Sequence, residues 1–185
     1  MQVEDILSES FDFYKKQVVV LIMATIIAAL GSIFIITIAP LFFGIYYMAL
    51  KIINNKEIEI KDVFKGFDYF FVSWALVILT AVAIMLGFVA LVIPGLILIV
   101  LFQYAIPIAI NEKTGAIASL KKSYQLGRDN FQFSIMLCII MWVINAIGGA
   151  VSVGWILTYP FSAICFSLAY LKLAEPQKTK KPQSL

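Results

Sequence analysis

The sequence predicts an all-α integral membrane protein with six transmembrane helices, because its composition is apolar and its few charges are bunched. Of the 185 residues, 62% are hydrophobic and 14% are charged, against roughly 45–50% and about 25% in soluble domains. Three long stretches, residues 17–50, 69–111 and 130–171, contain no Asp, Glu, Lys or Arg. A water-soluble fold is excluded on these grounds.

The lengths of the uncharged stretches, 34, 43 and 42 residues, predict two membrane crossings in each. One helical crossing takes roughly 20 residues, with about 17 as a lower limit. The apolar residues are continuous rather than alternating, which favours helices over a β-barrel. We therefore expect three helical hairpins in a single domain, residues 1–172, followed by a basic tail, residues 173–185, that is polar enough to be disordered.

Each hairpin is expected to pair an outbound helix with a return helix. In the first hairpin we place the turn just before Pro40, because a proline loses no hydrogen bond in the first turn of a helix. The predicted helices run over residues 17–39 and 40–54, 71–93 and 94–111, and 131–148 and 154–171.

An amphipathic segment precedes each hairpin, and we expect these segments to be interfacial helices on the cytoplasmic side. The first covers residues 3–16, the second about 63–70 and the third about 114–128. Their predicted apolar faces are Val3, Ile6, Leu7, Ser10, Phe11 and Tyr14; Val63, Phe64, Phe67 and Phe70; and Ile117, Leu120 and Tyr124.

The three hairpins form a weak internal repeat over residues 3–54, 61–111 and 114–172. Each unit has a surface helix, an outbound helix and a proline that starts or enters the return helix, namely Pro40, Pro94 and Pro160. Membrane proteins often contain such repeats, although short apolar patterns also recur by chance. Both interpretations stay open at this point.

The charge distribution predicts the orientation. All 14 Lys and Arg residues lie outside the three uncharged stretches, and a hairpin returns the chain to its starting side. The positive-inside rule then places both termini in the cytoplasm of a cell in whose plasma membrane the protein resides. Residues 1–16 are acidic and amphipathic, unlike a cleavable signal peptide, so we expect the first hairpin to direct insertion.

Basic residues beside the predicted spans are candidates for binding lipid headgroups, because a cation near an anionic membrane surface is attracted to it. The alternative, which we favour, is that they are topology signals accompanied by an ordinary aromatic belt. The candidates are Lys15, Lys16, Lys65, Lys121, Lys122 and Arg128, with Lys172 and Lys178 to Lys181 in the same collar.

Polar side chains inside the spans form a second candidate set. Gln103 and Asn145 are its strongest members, and we expect them to hydrogen-bond between helices; a path for a neutral solute is the alternative, since no ionisable group is present to pair with an ion. The remaining members are Ser32, Ser73, Thr80, Ser152, Thr158 and Ser162.

Enzyme chemistry finds little support in the sequence. The chain has no His, no Gly-rich phosphate loop, no metal-ligand cluster and no carboxylate pair within a span, so we predict no catalytic residue, cofactor or metal. Cys138 and Cys165 are interpreted as small apolar residues. Glu112 is expected to be solvated or to pair with Lys113 or Arg128.

One spaced pattern resembles the membrane-domain family of glycerophosphodiester phosphodiesterases, which includes many free-standing membrane proteins. The resemblance is best over residues 92–131, with Tyr124 where the family commonly has Trp and Asp129 where it commonly has Gly. It rests on Ile93-Pro94-Gly95-Leu96, Phe102, Pro107, Glu112, the run Leu120 to Leu126, Arg128, Asn130 and Phe131.

The resemblance implies a six-helix membrane module without hydrolase activity, because in the multidomain members that chemistry belongs to a separate soluble barrel. Within the motif, Pro94 is expected to start the return helix and Gly95 to allow a tight turn. We therefore predict a non-enzymatic accessory or lipid-interacting module whose partners are membrane lipids or another membrane protein, and not nucleic acid. A small transporter or channel for a neutral solute is the alternative, and an intramembrane enzyme ranks last.

Overall fold

A computed structural model describes residues 2–31, 34–150 and 154–180, with side chains as far as residue 175. These residues form nine α-helices and one 3₁₀ segment, and no strand occurs among them. The elements are α1 (Val3–Lys16), α2 (Val18–Gly31), α3 (Ile35–Ile53), the 3₁₀ segment (Ile60–Tyr69), α4 (Phe70–Ala90), α5 (Val92–Phe102), α6 (Ala105–Glu112), α7 (Ala116–Asp129), α8 (Phe131–Ala150) and α9 (Trp155–Lys180).

Five helical stretches are long and apolar enough to cross a membrane, and a sixth is added if α1 and α2, which meet at 86°, count as one bent span. Large apolar side chains on two of these helices point away from the protein: Phe71 is 84% exposed, Val89 79% and Trp142 72%. Such exposure is costly in water and costs nothing in lipid. An all-helical, multi-pass membrane protein is compatible with both observations.

The first hairpin turns earlier than the sequence indicates. Helix α2 ends at Gly31 and α3 begins at Ile35, and the Thr37 hydroxyl lies 2.5 Å from the carbonyl oxygen of Gly31 and 2.7 Å from that of Phe34. The predicted turn before Pro40 is therefore wrong. Helix α2 has 14 residues, a length of about 21 Å, so the outbound arm rather than the return arm is the short one.

Pro40 lies inside α3, where its missing N–H leaves the carbonyl of Ile36 without its usual helical partner. The indole N–H of Trp74 in α4 donates a 3.0 Å hydrogen bond to that carbonyl. Because an unpaired carbonyl in an apolar medium costs free energy, this bond explains how the helix tolerates the proline and ties α3 to α4.

The 3₁₀ segment packs closely on α3 through two glycines. A Cβ atom on Gly44 would lie 1.8 Å from the carbonyl oxygen of Val63, and one on Gly66 would lie 1.8 Å from that of Pro40. Lys51 of α3 donates a 2.7 Å hydrogen bond to the nearly buried carboxylate of Asp62. Backbone approach and an ion pair together hold this predicted surface segment against the bundle.

The second return helix is broken at Gln103 and Tyr104, between α5 and α6, although the sequence predicts it to be continuous. Pro107 cannot donate a hydrogen bond to the Gln103 carbonyl four residues earlier, which favours a break there. Ser123 of α7 satisfies the groups that the break leaves free: its hydroxyl donates to the Leu101 carbonyl at 2.7 Å and accepts from the Tyr104 N–H at 3.2 Å.

The amphipathic helices α1 and α7 also pack on protein. Val3 and Ile6 of α1 are buried in a cluster with α9 residues such as Leu173, and Glu9 of α1 pairs with Lys172. Much of the α1 face for which the sequence predicts membrane contact is thus covered by α9. Helix α9 continues to Lys180, past the predicted start of the tail, and residues 181–185 lie outside the described residues.

Candidate functional site

The six candidate cations differ in how their charge is used. Lys15 lies 3.2 Å from Asp12 and Lys65 lies 3.7 Å from Asp68, both as exposed pairs within one turn, while Lys16 lies 4.9 Å from the centre of the Phe13 ring. Exposed pairs of this kind contribute little to stability. They do, however, place a neutralising carboxylate beside Lys15 and Lys65.

Lys122 is part of a polar network that joins α6, α7 and α9. Its ammonium lies 2.5 and 2.7 Å from the two carboxylate oxygens of Glu112. The Tyr170 hydroxyl donates to Glu112 at 2.6 Å and accepts from the Asn111 amide at 3.0 Å. The sequence predicts Lys113 or Arg128 as a partner of Glu112, and the structure instead pairs Glu112 with Lys122 and Tyr170, so the charge of Lys122 is used within the fold.

Lys121 and Arg128 have no ion pair among the residues that the structure describes, and both are exposed. They lie on one stripe of α7 together with Ile117 and Tyr124, at the spacing of four, three and four residues that places side chains on one helical face. Ile117 is 62% exposed and Tyr124 40%. This stripe points away from the bundle.

The buried side of α7 is not the predicted apolar face. Apart from Leu126 it consists of small residues, among them Ser119, Ser123 and Gly127, and a Cβ on Gly127 would lie 3.1 Å from the Leu101 Cα. Small side chains let α7 approach the broken helix closely. Ile117 and Tyr124, which belong to the predicted apolar face of an interfacial helix, border an open cleft.

That cleft, which we call the α4–α7 cleft, has a volume of about 570 Å³. Helices α4, α5 and α7 supply its apolar lining. Its polar lining comes from α7 alone. The apolar lining is Leu79, Ala83, Phe102, Ile117 and Leu120, and the polar lining is Lys121, Tyr124, Gln125 and Arg128.

A second cleft, of about 540 Å³, lies where the start of α1 meets the start of α8. Its lining includes the carboxylates of Glu4 and Asp129 together with Gln2 and Asn130. The two clefts are similar in size, and the described lining of this one contains no Lys or Arg.

Gln103 and Asn145 both hydrogen-bond to a neighbouring helix, as the sequence predicts. The Gln103 amide donates a 3.0 Å bond to the carbonyl of Ser134 in α8. The Asn145 amide donates to the Ser162 hydroxyl of α9 at 2.7 Å and to the Met141 carbonyl at 2.8 Å. These amides join α8 to the broken helix on one side and to α9 on the other.

The remaining polar candidates are mostly used locally. The Ser73 hydroxyl donates to the Phe70 carbonyl at 2.8 Å, and Ser162 donates to the Thr158 carbonyl at 2.9 Å. Thr80 is half-buried on α4. Ser32 and Ser152 lie outside the described residues, as do the side chains of Lys178 to Lys181.

The Pro-Gly motif lies at the turn between α4 and α5. Pro94 falls in the first turn of α5, which begins at Val92. A Cβ on Gly95 would come within 2.6 Å of the Phe88 ring, and one on Gly87 would lie 2.9 Å from the Gly95 Cα. The motif therefore allows two backbones to approach closely at a turn and offers no polar site.

The described residues offer few groups for metal binding or thiol chemistry. Over residues 2–31, 34–150 and 154–180 no group of three or more His, Cys, Asp or Glu side chains could hold a metal ion. Cys138 and Cys165 are free thiols, and Cys165 is buried, as expected for small apolar residues.

The cleft combines residues that the sequence points to with residues that it does not. Lys121 and Arg128 stand out from their charge, and the 117, 121, 124, 128 spacing could have placed Tyr124 beside them. Leu79, Ala83 and Phe102 carry no such signal, because only tertiary packing brings α4 and α5 to this face.

No protein-family model, curated protein or solved structure matches the chain.

Proposed function

We propose that the protein is a non-enzymatic integral membrane module of the plasma membrane that binds lipids and accompanies other membrane components. In this proposal three hairpins cross the bilayer, both termini are cytoplasmic, and α1, the 3₁₀ segment and α7 lie at the cytoplasmic interface. The resemblance of residues 92–131 to the membrane-domain family of glycerophosphodiester phosphodiesterases suggests the same kind of module.

The observation that carries the proposal is the pair Lys121 and Arg128, which lack a carboxylate partner among the described residues and stand beside apolar surface. Cations beside exposed apolar side chains suit a ligand that carries both an anionic group and an apolar chain. Anionic phospholipid offers a negative headgroup and an apolar chain in one molecule.

The alternative function is transport of a neutral solute, and one observation favours it. Transporters often bind substrate where a membrane helix is discontinuous, and α5 and α6 are separated at Gln103 and Tyr104. Against it, the Gln103 amide is hydrogen-bonded to Ser134 and the Asn145 amide to Ser162. Amide N–H groups engaged in this way are poorly placed to donate to a solute.

Lipid retention tests the proposal directly. The purified protein is exchanged into nanodiscs of phosphatidylcholine with a minor fraction of phosphatidylglycerol, released, and examined by native mass spectrometry. We expect phosphatidylglycerol to be enriched among retained lipids relative to the disc. Retention in proportion to disc composition contradicts lipid binding, and uptake of a neutral solute that is lost in Gln103→Leu would support the transporter instead.

A further inference from the structure

We infer that the α4–α7 cleft binds one molecule of anionic phospholipid, with Lys121 and Arg128 contacting its phosphate and the α4 and α5 side chains contacting an acyl chain. This inference rests on the proposed function and specifies where, how and with which lipid class the module binds. Its volume, about 570 Å³, falls within the roughly 300–1,000 Å³ of small-molecule sites.

The polar end of the cleft suits a phosphate. It contains two cations, and Tyr124 and Gln125 add a hydroxyl and an amide that can donate hydrogen bonds. No carboxylate belongs to the described lining of this cleft. The nearest Lys on the same helix, Lys122, is neutralised by Glu112 at 2.5 Å, so the positive charge that faces the cleft comes from Lys121 and Arg128.

The apolar end suits an acyl chain. Leu79 lies on α4, one of the helices apolar enough to span a membrane, and is 38% exposed, and Phe102 and Ile117 also line the cleft. Beyond the cleft, Leu86 and Ala90 follow Leu79 and Ala83 at helical spacing and continue the exposed apolar surface of α4. A lipid held by its phosphate could therefore extend its chains along α4 without meeting a polar group in that lining.

The positive charge of the α4–α7 cleft favours an anionic lipid over a second copy of this chain as the occupant. The described lining of the cleft at the start of α1 contains no Lys or Arg, whereas that of the α4–α7 cleft contains Lys121 and Arg128, so a phosphate is attracted to the α4–α7 cleft. A second copy of this chain would have to present carboxylate and apolar surface together at the α4–α7 cleft. Phospholipid presents both and surrounds the protein in the membrane.

The test compares two charge-matched pairs of substitutions in the nanodisc assay. Lys121→Gln with Arg128→Gln removes two positive charges at the cleft, and Lys15→Gln with Lys65→Gln removes two elsewhere. At about 1 kcal/mol for each cation near an anionic headgroup, we expect the first pair to weaken retention of phosphatidylglycerol by roughly tenfold or more, and the second pair by less than about threefold.

A third variant tests the apolar end while keeping both cations. Ala83→Trp fills the cleft floor beside Leu79, and we expect it to lower retention of a single phosphatidylglycerol while Ala146→Trp, on the exposed side of α8, leaves retention unchanged. Size-exclusion chromatography and thermal melting confirm that each variant is folded. Lys121→Arg with Arg128→Lys keeps both charges and should retain the lipid.

The outcomes separate this site from the general proposal. If the wild type enriches phosphatidylglycerol and both charge-matched pairs of substitutions reduce that enrichment equally, the proposed site in the cleft is wrong, while lipid binding by the protein is still supported. If the wild type shows no enrichment, lipid binding itself fails. A shift from dimer to monomer in the Lys121→Gln, Arg128→Gln variant, with lipid retention unchanged, would assign the cleft to a second copy and overturn the site.

Discussion

The 3₁₀ segment and α7 are both amphipathic, contain lysines and lie next to predicted spans, yet they use their charges in different ways. Every lysine of the 3₁₀ segment has a carboxylate within 4 Å, and Asp62 pairs with Lys51 of α3. In α7 only Lys122 has a described partner of that kind, Glu112. Charge near a membrane is therefore no guide to headgroup binding until the ion pairs are known.

The two segments differ less in packing than in pairing. The 3₁₀ segment meets α3 backbone to backbone, yet it exposes Phe64 and Phe67, as α7 exposes Ile117 and Tyr124. Exposed apolar side chains therefore do not distinguish the two surfaces. What distinguishes them is that α7 has two cations with no ion pair among the described residues, whereas both lysines of the 3₁₀ segment have a carboxylate partner.

The largest effect should follow from closing the space between α3 and the 3₁₀ segment. Gly44→Ala places a methyl group 1.8 Å from the Val63 carbonyl oxygen, and backbone cannot move aside as a flexible side chain does, so we expect a loss of about 3 kcal/mol or more in the free energy of unfolding. Thermal unfolding in detergent measures it.

Gly149→Ala is the matched control for that substitution. Nothing lies within 4 Å of a Cβ at Gly149 in α8, so alanine should be neutral or stabilising by about 0.5–1 kcal/mol, as expected in a helix. Equal melting temperatures for Gly44→Ala and the wild type would show that the close contact is not required.

A smaller loss of stability should follow when a lysine with an ion pair is replaced, and almost none when a lysine without a described ion pair is replaced. Lys51→Met leaves the carboxylate of Asp62, a residue only 6% exposed, without its ion pair, and should cost about 2 kcal/mol. Lys121→Met breaks no described pair and should change stability by less than about 0.5 kcal/mol. Chemical or thermal unfolding of both variants in the same detergent makes the comparison.

Restoring the balance at the buried site provides the control. In Lys51→Met with Asp62→Leu no charge is left unpaired, so most of the stability should return. The contrast between paired and unpaired cations would be contradicted if Lys121→Met destabilised the protein as much as Lys51→Met.

The smallest effect concerns the turns that precede the two segments. Asn55 and Lys113 both have left-handed backbone, with φ of 55° and 51°. Asparagine adopts this conformation readily and lysine does not, so Lys113→Gly should raise the free energy of unfolding by about 1 kcal/mol and Asn55→Gly by less. Thermal unfolding of both variants measures the difference. A larger increase in the free energy of unfolding for Asn55→Gly than for Lys113→Gly would contradict the prediction.

Sequence reasoning was most successful where the signal is local. The 3–16 helix has the same bounds in the structure as in the prediction, and the motif at Pro94 and Gly95 forms the expected close turn. It was wrong where contacts between distant residues determine where a helix begins or ends. Pro40 lies within α3, where Trp74 supplies a partner for the Ile36 carbonyl, and no pattern around residue 40 reveals that bond.

The sequence by itself determined that the protein is helical and apolar enough for several membrane crossings, because hydropathy and charge add up along the chain. Only the tertiary structure decided which side of α7 is buried, that Lys122 pairs with Glu112, and that Lys121 and Arg128 border an apolar cleft. The physical reason is that pairing and packing depend on residues far apart in the chain, such as Leu101 with Gly127. Their meeting follows from the fold, and no local pattern encodes it.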